Sequence, residues 1–119
     1  MGEGAIRHVL TVTILFLVLT VLHEAVAAAP ARPSWLEPLL YRLGVCETGL
    51  DWRFRSGSYQ GFVAWYSGTW DLDKPVGFPD HAWQATPRQQ ALVARRSLRR
   101  GRYFGCLHGP EHAWVRGDE

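Results

Sequence analysis

The chain has 119 residues, 47% hydrophobic and 20% charged, with a formal net charge of +2. That length holds one small domain and excludes a two-domain enzyme, and the balance excludes a chain disordered throughout. Its two cysteines are too few for a zinc ribbon or a dense disulfide scaffold, but enough for one bridge.

Arg7 opens a positively charged start, and the fourteen residues from Val9 to Leu22 carry no charge. His23 and Glu24 end this run, and Ala25-Val26-Ala27-Ala28-Ala29 follows. The order is that of a secretory signal peptide over residues 1–29, cut near Ala29. Fourteen helical residues reach about 21 Å, short of the roughly 30 Å of a hydrocarbon core. An uncleaved anchor is the alternative. Cleavage removes one Arg and two Glu, which raises the net charge from +2 to +3. Residues 30–33 read as a short linker, 34–108 as the folded domain and 109–119 as a polar tail. A domain of this size is marginal on burial alone. Outside the cytoplasm Cys46 and Cys106 are expected to pair. The bridge closes a loop of about sixty residues, worth about 4 kcal/mol in the chain-entropy account.

Ser34-Trp35-Leu36-Glu37 has the form of a capping box, with Pro38 inside the first turn. Leu36, Leu40 and Leu43 recur at helical spacing, and the same spacing runs on to Glu47. Gly44 weakens this helix and Gly49 ends it. Residues 51–61 are rich in turn formers, with Ser56-Gly57-Ser58 and Gly61. Residues 62–70 read as a turn leading into a short helix near Ser67 to Trp70. Residues 71–85 contain Pro75, Gly77 and Pro79 and read as loop. Thr86-Pro87-Arg88-Gln89 is a clear helix start, with Thr86 as N-cap and Pro87 at the first helical position. Ala91, Leu92, Val93, Ala94 and Leu98 supply its buried stripe. Arg95, Arg96, Arg99 and Arg100 sit in its last turns, where the helix dipole favours cations. Gly101 stops it, and Cys106 returns to the bridge. The tail after Leu107 reads as polar and frayed.

Glu47 is the sharpest chemical candidate. A carboxyl group on an apolar helix face loses solvation, so its pKa is expected to rise and suit it to general-acid work. A helix-end glutamate turned to water is the other reading, and spacing leaves both open. Asp51 is either the second carboxylate of a hydrolase pair or, with Gly49 between the two, a cap or loop group. Asp71 and Asp73 read as loop residues. Trp52, Tyr59, Trp65, Trp70 and Trp83 have the flat faces that suit sugars, but most must pack the core, leaving one or two for a ligand. Cys106, His108 and His112 make a partial metal set whose thiol is better used in the bridge, so no metal and no cofactor are expected. The arginines from Arg95 to Arg102 form a solvated face or meet an anionic wall or membrane, rather than nucleic acid. No phosphate-binding glycine loop and no Ser-His-Asp or Cys-His set can be singled out.

Cys46-Glu47-Thr48-Gly49-Leu50-Asp51-Trp52 resembles the opening of the resuscitation-promoting-factor, or transglycosylase-like, domain of actinobacterial cell-wall proteins. The resemblance continues through Tyr59, Gly61, Gly68-Thr69-Trp70 and Arg88-Gln89-Gln90, and ends at Cys106. It implies a small lysozyme-like domain, α+β and mostly helical, with one disulfide between Cys46 and Cys106. It implies Glu47 as catalytic acid, with Tyr59, Thr69 and Trp70 beside the substrate. The substrate would be the peptidoglycan glycan strand, cut by a lytic transglycosylase or a muramidase. The expected protein is a secreted, wall-associated monomer that touches membrane only through an uncleaved signal segment. The chain departs from the family at Phe62, where a second glycine is usual, and at Ala64, where a glutamine is usual. Tyr66 stands where the family often has an acidic or polar residue, and the preceding loop is one residue shorter. A groove that loses a hydrogen-bonding side chain and gains bulk would bind another glycan, or bind without turnover. A non-catalytic wall-binding or signalling module is the main alternative, and a basic secreted protein with a structural Glu47 is the third.

Overall fold

The computed structural model describes residues 28–118. The signal-peptide reading therefore lies almost wholly outside the described residues. No helix among them is long and apolar enough to cross a membrane.

Helix α1 spans Pro38–Thr48, with Pro38 at its first position. It begins later than the Ser34 capping box implies. Proline fits the first helical position, where no N–H is needed, and pushes the residue before it out of helical geometry. Glu37 accordingly sits at ψ 145°, and its carboxylate pairs with Arg95 rather than closing a box. Leu36, Leu40 and Leu43 are buried, as their spacing requires. Gly44 is a close-approach glycine: a Cβ there would lie 2.5 Å from the Phe62 ring. Gly49 ends α1 in left-handed geometry, φ 69°.

The turn-rich stretch holds a small antiparallel sheet. Its strands are β1 (Arg55–Ser56), β2 (Tyr59–Gln60) and β3 (Trp65–Tyr66), in that order. Ser56 faces Tyr59 across a Gly57-Ser58 turn, and Tyr59 and Gln60 face Tyr66 and Trp65. Strands of two residues show no alternation, so the sequence displays only their turns. Helix α2 follows directly over Ser67–Asp73. Asp73 is thus a helix residue, not a loop residue, and it is fully buried.

Helix α3 spans Pro87–Arg99, and its capping box is complete. The Gln89 N–H donates to Thr86 Oγ1, and the Thr86 N–H to Gln89 Oε1. Its buried stripe is Gln90, Val93, Ala94 and Ser97, joined by Ala91. Leu92, expected inside, lies on the outer face and is exposed. Two polar residues hold stripe positions because each is fully bonded. Gln90 accepts the Phe62 N–H and donates to the Trp52 and Ala85 carbonyls. Ser97 Oγ accepts the Trp65 indole N–H and donates to Asp73.

The disulfide Cys46–Cys106 joins α1 to a 3-10 turn at Gly105–Leu107. The segment expected to fray is folded. After a further 3-10 turn at Pro110–His112, helix α4 (Ala113–Arg116) packs across α1. Val115 is fully buried and its carbonyl accepts Arg42 Nε at 3.0 Å. The apolar run Ala113-Trp114-Val115 is too short to show a periodicity, which is why the sequence does not show this anchor.

Candidate active site

Glu47 lies in the last turn of α1, between the bridged Cys46 and Thr48. It is half-buried, and its Oε1 accepts the Cys106 N–H at 2.9 Å. The disulfide therefore brings up the backbone group that orients the carboxylate. Thr48 Oγ1 donates to the Phe62 carbonyl at 2.7 Å and accepts the Asp51 N–H, tying the helix end to the next loop.

Glu47 opens into a groove of about 410 Å³. Tyr59 from β2, Tyr66 from β3 and Thr69 from α2 line it, together with Tyr103, Gly105, Val63, Ala64 and Trp65. Tyr59, Tyr66 and Tyr103 are 54%, 56% and 73% exposed, so three phenols stand free around one carboxylate. The structure brings Glu47, Tyr59 and Thr69 together. It does not bring Trp70, which is fully buried and donates its indole N–H to the Pro79 carbonyl. Helical geometry separates the two: Thr69 faces the groove and its neighbour Trp70 turns to the core, against Trp65 at 5.0 Å. Trp65 is nearly fully buried, and Trp52 packs on Phe62 at 4.3 Å. Tyr66 and Tyr103 were not among the expected site residues. They come from segments far apart in sequence, and no local pattern marks either one.

No protein-family model matches the chain. Over 80 residues, 66% of its length, it is 34% identical to resuscitation-promoting factor Rpf1 of Corynebacterium glutamicum. Over that stretch the chain resembles a resuscitation-promoting factor. It spans 38% of the length of that relative. The small, mostly helical α+β architecture with one disulfide, expected from the resemblance, is the one found.

Two of the departures from the resuscitation-promoting-factor pattern, Phe62 and Ala64, have different meanings. Phe62 is fully buried above Gly44, so its bulk fills the core and not the groove. Ala64 does line the groove, at φ 52°, a left-handed conformation that costs a residue with a Cβ roughly 1 kcal/mol. The groove of this domain holds no second carboxylate among the described residues. Asp51 instead accepts the Arg53 N–H and lines a cavity that does not include Glu47.

Asp73 is held by Ser97, Arg100 and Arg102 at 2.7, 2.9 and 2.7 Å. Burial raises its pKa, but the hydrogen bonds from Arg102, Ser97 and Arg100 outweigh it and bring the carboxyl down to about 2. Arg95, Arg100 and Arg102 are thus ion-paired within the fold rather than forming one solvated face. His112 Nδ1 lies 3.7 Å from Cys46 Sγ, but both sulfurs beside it are held in the disulfide, leaving no thiolate for a metal ion.

Proposed function

We propose that this domain cleaves the glycan strand of peptidoglycan, with Glu47 as its single catalytic acid and Tyr59 and Thr69 as groove contacts. The observation that carries this reading is one half-buried carboxylate, oriented by a backbone N–H, in a groove lined by exposed phenols. Glu47 protonates the bridging oxygen as the C1–O bond to the muramyl residue breaks. Its carboxylate then takes the proton from the muramyl 6-hydroxyl, and that oxygen bonds to C1. The product is an anhydro sugar, and Glu47 ends protonated, as it began. No water enters. The lack of a second groove carboxylate among the described residues favours this lytic transglycosylase course over hydrolysis, which ordinarily uses a pair. Stacking of sugar faces on the tyrosines and hydrogen bonds from their hydroxyls supply binding. The protein acts as a secreted, wall-associated monomer.

The test is release of soluble fragments from purified peptidoglycan by the oxidised protein, with Glu47→Gln beside it. Release by wild type and its loss in the variant support the reading. No release by a folded, bridged wild type that still pellets with the wall would instead support a binding module, with Ala64→Gln the first reversion to make.

A further inference from the structure

Two more cavities continue from the Glu47 groove. The first, about 340 Å³, shares Tyr59 with it and runs past Arg55 and His81 to Trp83. The second, about 860 Å³, begins at Trp83 and extends past Arg53 to Thr86. Each adjoining pair has a residue in common, so the three form one trough around the β1–β2 hairpin, from Glu47 to the start of α3. A small ligand needs one such cavity; a run of three suits a polymer.

Outside the Glu47 groove the trough is lined by two arginines, Arg53 and Arg55, and one carboxylate, Asp51. Arg95, Arg100, Arg102, Arg116 and Lys74 each pair with a carboxylate. Arg53 and Arg55 are exposed, and neither has an ion-pair partner among the described residues. Asp80 pairs with Lys74, and Asp51 accepts the Arg53 N–H but keeps its charge, so the two arginines outnumber the one free carboxylate beside them. The Arg55 guanidinium lies 4.7 Å over the Trp83 ring, and the His81 ring stacks on Trp83 at 11°. Guanidinium groups match carboxylates through two parallel hydrogen bonds.

We propose that this trough is a second binding site for the same polymer, holding the carboxylate-bearing peptide stems of the strand whose sugars lie at Glu47. The inference rests on the glycan-strand reading above. It is tested with the full chain carrying Glu47→Gln, so that nothing is cut. Calorimetry compares soluble glycan strands bearing their peptide stems with the same strands stripped by an amidase. Stem-bearing strands should bind about tenfold more tightly, an advantage the size of two exposed ion pairs. Arg53→Ala with Arg55→Ala, or about 0.5 M salt, should bring that ratio to about one. Both side chains are exposed, so the fold is not at stake. Equal affinity for the two strands, or a ratio that survives the double substitution, would overturn the inference while leaving the glycan reading in place. Binding of neither strand would overturn both.

Discussion

Glu47 and Asp73 are both carboxylates at the C-terminal end of a helix, yet their surroundings differ in kind. Asp73 is fully buried and receives Ser97 and two arginines. Glu47 is half-buried, receives one backbone N–H and otherwise opens onto a groove. A carboxylate whose lone pairs are all engaged by cations and hydroxyls is a structural latch. One that is oriented but left accessible can exchange a proton with a ligand. The two sites are also joined, because Trp65 lines the groove and donates to the same Ser97 that holds Asp73.

The largest expected effect separates these roles. Glu47→Gln should lower strand cleavage by at least about 10²-fold and leave the melting temperature nearly unchanged. Asp73→Ala should do the reverse, costing about 3 kcal/mol in urea denaturation because two arginines lose their partner. Loss of activity in Asp73→Ala beyond the loss of folded protein would show that the latch also sets the groove.

Removing the bridge should blur the contrast. Cys106→Ser is expected to cost about 2 to 5 kcal/mol in the same denaturation experiment. Should the variant match wild type in stability, the bridge would not be the staple described here. Gln90→Ala comes next, at about 2 to 3 kcal/mol, since the Phe62 N–H and the Trp52 and Ala85 carbonyls lose a partner at a buried site.

Acid sharpens the Asp73 half. Its folded pKa of about 2 lies below the ordinary 3.8, so its contribution is complete above pH 4 and lost as pH falls through 2. That contribution is about 2 kcal/mol. Asp73→Asn should therefore flatten stability between pH 4 and pH 2, measured by urea midpoints, and an unchanged acid limb would contradict the assignment. The smallest effect is at Ala64. Ala64→Gly should stabilise by up to about 1 kcal/mol, since glycine relieves its positive φ.

The parts of the fold written in local chemistry were legible. Thr86, Pro87 and Gln89 mark the start of α3 because a cap needs only its own neighbours. Leu40 and Leu43 gave the buried face of α1, with Leu36 buried just before its start, and the spacing carried Glu47 toward that face. What failed depends on distant partners. Gln90, Ser97 and Asp73 look like surface residues until the carbonyls, indole and arginines that satisfy them are in place. Trp70 looked like a sugar platform, but one helical step separates it from Thr69 and turns it into the core. Tyr66 and Tyr103 became groove residues only when β3 and the return toward Cys106 were set against α1.

The central claim is that Glu47 acts alone, as acid and then as base. It is tested most directly by mass spectrometry of the fragments released from peptidoglycan in ¹⁸O-labelled water, by wild type and by Glu47→Gln. Wild type should release unlabelled anhydro-muropeptides and the variant none. Labelled reducing ends, or the same fragments from Glu47→Gln, would contradict it.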